Sequence, residues 1–487
     1  MDGLKKNEAG TESSGKDMKD NSPSPEAAEA RLVRRRKLIL WSAITANILG
    51  NSGLVGVNVA LPAMGSEFNL TAFRLGWVSL ATLLVMAISS APTARLSDLV
   101  GRHRIAVFGM VTTMVAALIG ALSYSYVSLM VSRALLGLGL VSYFTTITTM
   151  VAAEYPAEER GRVLGLTISA VYIGLSLGPM IVGMLVQYLG WRSLFWFTLI
   201  GNVPPLILLL MVEPDLPPTP DEKLDWIGIL LWVLTLGLGF TGLASLKQTF
   251  AIPMLTIGVA MAVLFFLRSL KSKNPILDMR LFFDSRSFSF SSLAAYISYL
   301  SSFSISFLMS LYLQYAKGLS PSKAGLYLMA QPVIQAMLTP ISGRLSDSMA
   351  PWRLASKGIA TIMVAILIFA LTLSSVTPDL LLIVTMAMTG VGFAFFSAPN
   401  TNAIMSAVPP KRLGQASGVI TVTRLCGQIT SMAVTTLVFG LVIGSGVITA
   451  EKSPELIRAC VIIFWIFAPV CLVGVLASLT GGKKSSA

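Results

Sequence analysis

Charge is scarce in this 487-residue chain: Asp, Glu, Lys and Arg together make up 12% of it, against 54% hydrophobic residues and a mean hydropathy of +0.76. So little charge excludes the solvated surface of an ordinary soluble domain, and lipid must cover much of the molecule. Histidine occurs once, at His103, and cysteine three times, at Cys426, Cys460 and Cys471. An odd number of cysteines, all within apolar runs, gives neither a disulfide framework nor metal-ligand spacing, so they read as small buried hydrophobes. His103 reads as a solvated loop residue. With no Walker loop and no nucleophile constellation, the chain is not expected to be an enzyme, and no metal site or cofactor is implied. The formal net charge of +13 is scattered over short loops rather than gathered on one soluble face, which excludes nucleic acid as a partner. Acid is lacking where it would matter most, because none of the 23 acidic residues falls inside an apolar run.

What is present is a succession of apolar runs from Leu38 to Leu479. Each is long enough, at roughly 20 residues, for a helix to cross about 30 Å of hydrocarbon. They predict an all-α polytopic membrane protein of fourteen spans, the first at 38–62 and the last at 459–479. The seventh and eighth, 226–245 and 251–267, are separated only by LKQTF. Residues 1–37 are polar, mixed in charge and end in RLVRRRK, and are expected to form a disordered cytoplasmic tail. Under this count 27 of the 36 Lys and Arg lie on the N-terminal side, seven lie opposite, and two, Arg133 and Arg424, are inside spans. The bias places both termini in the cytoplasm of a multi-pass protein of the plasma membrane.

An internal repeat marks the loops. ARLSD at 94–98 returns as GRLSD at 343–347, and YPAEERGRVLG at 155–165 shares its Pro and Gly spacing with VPPKRLGQASG at 408–418, at offsets of 249 and 253 residues. Two parallel six-span halves are a known transporter architecture. The organisation is then a six-helix bundle at 38–212, a linker with two extra spans at 213–287, a second six-helix bundle at 288–479 and a short tail at 480–487.

Five segments carry a family resemblance: VNVALP (57–62), ARLSDLVGRHR (94–104), LMVSRALLGLG (129–139), GLTISAVYIGLSLGPMIVG (165–183) and NPILDMRLF (274–282). In this order, at these spans, they resemble the fourteen-span drug:proton antiporter branch of the major facilitator superfamily, of multidrug efflux type. The resemblance implies the major facilitator fold and a conformational latch in the loop after the second span, built on Arg95, Asp98, Gly101 and Arg102. Asp98 is placed to bridge neighbouring helix ends through charge-assisted hydrogen bonds. Arg344 and Asp347 form its weaker counterpart. Gly165, Gly174, Gly178, Pro179 and Gly183 match the antiporter motif of the fifth span, and their small size allows a bend or close contact between halves.

Polar residues within spans are the candidates for a substrate cavity. Asn47, Asn51 and Asn58 share one face of the first span. Tyr143, with Thr145 and Thr146, marks the fourth; Tyr296 and Tyr299 the ninth; Gln331 and Gln335 the tenth. Arg133 and Arg424 are candidates because a charge inside a span needs a wet cavity or a partner; an arginine satisfied by backbone carbonyls is the structural alternative.

One position departs from the resemblance. The first-span signature carries an Asp nine residues before its Pro, where this chain has Gly53. Coupling to protons therefore needs a peripheral acid such as Asp98 or Glu67, a substrate that is itself protonated or anionic, or no coupling at all. The leading expectation is a monomeric secondary exporter of amphipathic, drug-like small molecules in the lipid bilayer, working by alternating access. The alternatives are a carrier of organic anions or metabolites, an uncoupled facilitator, and a non-transporting scaffold or receptor.

Overall fold

A computed structural model describes residues 25–214, 224–272, 275–409, 412–444 and 446–481. Among them every extended regular element is helical, as backbone crossing hydrocarbon requires. The first group is α1 (Pro25–Glu67), α2 (Ala72–Val100), α3 (Arg102–Ala121), α4 (Tyr126–Glu154), α5 (Ala157–Leu189) and the consecutive pair α6 (Ser193–Gly201) and α7 (Val203–Leu210). Then come α8 (Trp226–Ala244), α9 (Ala251–Lys271) and the short α10 (Leu281–Asp284). The second group is α11 (Arg286–Ser302), α12 (Ile305–Leu311), α13 (Pro321–Leu328), α14 (Ala330–Ser348), α15 (Pro351–Thr372), α16 (Asp379–Ser406), α17 (Leu413–Val442) and α18 (Ser453–Gly481).

Thirteen helical segments are long and apolar enough to cross a membrane, one fewer than the sequence predicts. The segment left out is α13–α14. It breaks at Met329, three residues before Pro332, whose ring nitrogen cannot donate to the Leu328 carbonyl. Its Gln331, Gln335 and Arg344 lower its hydropathy further. The chain also departs from expectation at its start. Residues 25–37, expected to belong to a disordered tail, continue α1 outward, while 1–24 and 482–487 lie outside the described residues. Strong helix formers extend a helix whose nucleus already exists, with Pro25 at its first turn and Glu26 beside it.

Successive segments run antiparallel, so one face of the molecule carries both described chain ends. On this terminal face Arg35 Nε pairs with Glu154 at 2.9 Å, Arg36 donates to the Glu154 carbonyl, and Arg412 pairs with Asp284 at 2.6 Å. His103 also lies here, but buried rather than solvated: it sits in the first turn of α3 with Nε2 2.9 Å from the Leu209 carbonyl, joining α3 to the end of α7. On the far face Arg192 grips Glu67 with both guanidinium nitrogens and donates to the Ser123 carbonyl, while Trp191 donates to the same carboxylate. Lys317 and Tyr327 likewise converge on Asp379.

The repeat seen in the loops returns in the packing. Within the first group α3 crosses α4 where Gly109 and Gly139 each face the other's carbonyl, and α15 crosses α16 on Gly358 and Gly392 in the same way. Gly137 lets α4 lie on the Thr82 carbonyl of α2, as Gly390 lets α16 lie on the Gln331 carbonyl of α14. Gly174 of α5 rests on Ile48 of α1, and Gly427 of α17 on Tyr296 of α11. A side chain at any of these crossings would strike backbone, which is how small residues bring membrane helices close. The glycines on α4, α5, α16 and α17 are related by the 253-residue offset of the loop motifs. The pair α8 and α9 packs mainly on itself, with α8 also touching α2 and α17.

Candidate functional site

The two groups meet closely toward the far face. There α1 lies against α12: Ser310 donates to the Asn58 carbonyl at 2.6 Å, Gln314 to the Val59 carbonyl at 3.2 Å, and Ser79 to Asn58 Oδ1 at 3.3 Å. Gly76 of α2 abuts Thr436 of α17, and Gly183 of α5 abuts the Pro321 carbonyl at the start of α13. Toward the terminal face the groups part. A methyl group placed on Gly161 or Gly165 of α5, Gly343 of α14, or Gly414 or Gly418 of α17 would meet nothing within 4 Å. The contacts close the far face, and the uncovered glycines of α5, α14 and α17 leave room between the groups for a cavity that opens at the terminal face.

Its walls combine aromatic rings with uncharged polar groups. Tyr299 stacks edge-on against Phe393 and Phe396 of α16 at centroid distances of 5.1 and 6.4 Å. Tyr296 is held by a 2.9 Å hydroxyl contact to Thr430. From the other group Tyr172 of α5 lies near Gln335 and Thr339 of α14, Ser397 of α16 and Tyr299. Gln331 is half-buried one turn from Gln335. Asn47 and Asn51, expected to line the cavity, are buried within α1's own packing, each tethered by its amide N–H to the carbonyl four residues earlier, with Asn51 against Gly174 of α5.

Arg424 stands in this wall. It is exposed, and it has no hydrogen-bond or ion-pair partner among the described residues. Ser417 and Thr421 before it and Gln428, Ser431 and Thr435 after it recur at intervals of three and four, so the stripe stays within about 80° of one face of α17. Ser431 at one end of the stripe accepts from the Ser304 N–H on the α11 side, while Leu441 on the opposite face is 61% exposed, as a lipid-facing side chain is. The polar stripe therefore faces the cavity.

Several expected cavity residues lie elsewhere. Arg133 is 1% exposed, with Nε donating to the Val78 carbonyl at 3.0 Å. The close crossing at Gly137 drives this arginine against α2, so backbone and not the cavity receives it. Tyr143 is pinned between helices, donating to the Ser42 carbonyl at 2.9 Å while Ser42 donates to that of Pro205. Asn58 belongs to the far-face seal. Position 53 also points away from the cavity, since a Cβ on Gly53 would sit 3.1 Å from Thr198 Oγ1 of α6.

The latch residues sit at the ends of α2 and α14 on the terminal face. Asp98 pairs with Arg102 of its own loop at 3.6 Å with both side chains well exposed, and Arg95 reaches the Pro275 carbonyl of the linker. Gly101, at φ 106, makes the α2–α3 turn that only glycine adopts without strain. Arg344 is exposed near the end of α14. Asp347 belongs to the same helix, and its side chain lies outside the described residues. In the fifth-span motif α5 stays helical through Pro179; Gly174 and Gly178 pack on α1, Pro179 and Gly183 touch α13, and Gly165 is open. Sequence reasoning missed Tyr172, Thr339, Ser397, Phe393, Phe396 and Gln428. Gln428, one turn from Arg424, was the one with a readable signal.

An all-helical, multi-pass chain whose two repeated groups enclose a cavity open at one face is a membrane transporter. The Major Facilitator Superfamily profile matches residues 40–432 and again 291–485, and the chain belongs to that superfamily. It is 27% identical to the riboflavin transporter RibZ of Clostridioides difficile over 88% of this chain and 94% of that one. It is 28% identical to the multidrug resistance protein Stp of Mycobacterium tuberculosis, covering 83% and 75%, and 24% identical to the lincomycin resistance protein LmrB of Listeria monocytogenes, covering 82% and 86%. Among solved structures, a bacterial homologue of the human lysosomal transporter Spinster, inward-facing and unoccupied, superposes with a TM-score of 0.65 at 16% identity over 93% of this chain and 99% of that one. A POT family transporter in complex with a thioalcohol-conjugated peptide gives 0.71 at 14% identity over 91% and 96%. The relatives are transporters, including drug-efflux types, and not enzymes.

Proposed function

We propose that the protein is a monomeric secondary transporter of the plasma membrane that exports amphipathic, drug-like compounds by alternating access. In this reading the chain crosses the bilayer fourteen times, with α13–α14 as the polar, broken crossing. Two six-helix bundles at 38–212 and 288–479 flank the linker at 213–287 with its two additional crossings. The excess of Lys and Arg on the terminal face supports cytoplasmic chain ends, and in this reading the cavity opens inward, the state in which an exporter loads.

The observation that carries the reading is the cavity itself: closed between α1 and α12 at one face, open between α5 and α14 at the other, and lined by Tyr172, Tyr296, Tyr299 and Phe393. Such a wall takes up planar, amphipathic molecules through stacking and a few hydrogen bonds. The names of Stp and LmrB support drug-like cargo, and that of RibZ supports a planar heterocycle. The test is counterflow in proteoliposomes with labelled aromatic amphiphiles of either charge. Exchange of at least one is expected, abolished when a disulfide between Gly165→Cys and Gly343→Cys holds the terminal face shut. No exchange of any probe sinks the transporter reading.

A further inference from the structure

Among the described residues the cavity contains a cation and no anion. Arg424 lies about 16 Å along α17 from Leu413, inside the hydrocarbon zone of a helix about 45 Å long. The other cation within the spans, Arg133, is occupied by backbone and shut away behind α2. Every acidic residue among those described lies in a loop or near a helix end. An arginine at this depth without a carboxylate is tolerable only where water, or a ligand, reaches it. Water reaches it through the open terminal face, where Gly414, Ser417 and Gly418 of its own helix line the entry.

We infer that Arg424 is the anion-binding group of the transport site, and that the cargo is a planar aromatic compound bearing one carboxylate, sulfonate or comparable anionic group. The inference rests on the transporter reading and adds its substrate class. The planar guanidinium presents paired N–H donors that match an oxyanion, which Lys would meet only as a point charge. Gly427, one turn on, brings α17 against Tyr296 and the Cβ of Tyr299, so the aromatic part of a ligand held at Arg424 has the rings of α11 and α16 beside it. Gln428 offers a further amide on the same face. For a lipophilic cation the same wall is repulsive and supplies no counter-charge, which sets this site against the cargo that multidrug efflux would suggest.

Two size-matched, permanently charged bicyclic probes test it: naphthalenesulfonate and N-methylquinolinium. Binding is measured to the purified full chain in phosphatidylcholine nanodiscs. The wild type is expected to bind the sulfonate at least roughly tenfold more tightly than the quinolinium, and Arg424→Gln to weaken sulfonate binding by roughly tenfold to a hundredfold. Arg424→Lys should retain part of the loss and leave the ranking in place. The ranking in the wild type needs no variant, so a misfolded Arg424→Gln does not shelter the inference. Equal or tighter quinolinium binding, sulfonate binding indifferent to a folded Arg424→Gln, or no binding of either probe overturns it. Sulfonate binding that depends on Arg424 without any flux in proteoliposomes would sink the transporter reading and leave the site. Quinolinium flux without sulfonate flux would do the reverse.

Discussion

Gly183→Ala should change which face of the transporter is open. A Cβ at this position would lie 2.6 Å from the Pro321 carbonyl oxygen and 3.2 Å from Ser322 Cα, so the backbone at the start of α13 has to give way. Overpacking of this kind costs about 1–3 kcal/mol. The contact lies in the far-face seal, between helices of different groups, and exists only while that face is closed. The penalty therefore falls on the state open at the terminal face alone. A differential penalty of that size shifts the ratio of the two states, open at one face or at the other, by about 5- to 150-fold.

The assay is a distance distribution between spin labels at Gly165→Cys and Gly343→Cys, with the native cysteines replaced. The two positions face open space across the cavity mouth and approach when it shuts. Gly109→Ala is the control. Its Cβ would lie 2.6 Å from Tyr143 N, at a crossing inside one group that both states share. It should lower Tm and leave the ratio alone. An unchanged ratio in folded Gly183→Ala, or an equal shift in Gly109→Ala, refutes the argument that the far-face seal is state-specific.

Three further outcomes follow from the same geometry. Arg133→Leu strips the Val78 carbonyl of its donor in a dry crossing, at a cost of about 1–3 kcal/mol, and should lower Tm while leaving the ranking of transported probes intact. Tyr172→Phe keeps the ring but removes the hydroxyl that lies near Gln335, Thr339 and Ser397, and should leave the fold intact; a fall in probe affinity beyond about 1.5 kcal/mol, the worth of one neutral hydrogen bond, would place more than that one contact on the substrate. At the terminal face burial pushes the Asp225 carboxyl up, but hydrogen bonds from Arg268 and the Gly228 N–H outweigh it and hold the group below its ordinary 3.8. Its stabilisation is therefore complete above the unfolded value and lost as pH falls through the depressed folded one. A scan of Tm from neutral pH to about 3 should show an acid-side decline that Asp225→Asn flattens.

The sequence made some of this legible because it records repetition and periodicity. The 253-residue offset read from the loop prolines and glycines relates Gly137 to Gly390, Gly139 to Gly392 and Gly174 to Gly427, the residues on which the helices cross. Hydropathy found the spans but undercounted α1, because charged residues such as Arg31 and Glu29 are good helix formers that composition alone assigns to a tail. It read α13–α14 as an ordinary crossing because Pro332 and the two glutamines did not outweigh the apolar residues around them. The arginines show the limit most clearly. Arg133 and Arg424 give one cue, charge inside a span, and opposite outcomes. The difference is rotational: Arg133 lies one turn from the glycine that brings α2 close, whereas Arg424 shares a face with Ser417, Thr421 and Gln428. That stripe was present in the sequence and needed only the heptad spacing to be followed.

An anionic cargo also bears on how export is driven. The drug:proton antiporter signature places an acid at position 53, but here that position is glycine and faces Thr198 on α6, so no titratable group enters the cavity there. A monoanion leaving a cell whose interior is negative moves down the membrane potential, which is worth about 2.3 kcal/mol per elementary charge per 100 mV. That corresponds to roughly a fiftyfold gradient without any proton exchanged. Arg424 neutralises the anion during transit and returns uncompensated, so the returning carrier bears the net charge and the potential acts on that step. Flux of naphthalenesulfonate out of proteoliposomes should then rise when a potassium diffusion potential makes the lumen negative and fall when it is reversed. It should be unaffected by a pH gradient imposed at zero potential. Flux that follows the pH gradient and ignores the potential would show that protons are coupled through an acid outside the cavity, with Asp98 and Glu67 the first to replace.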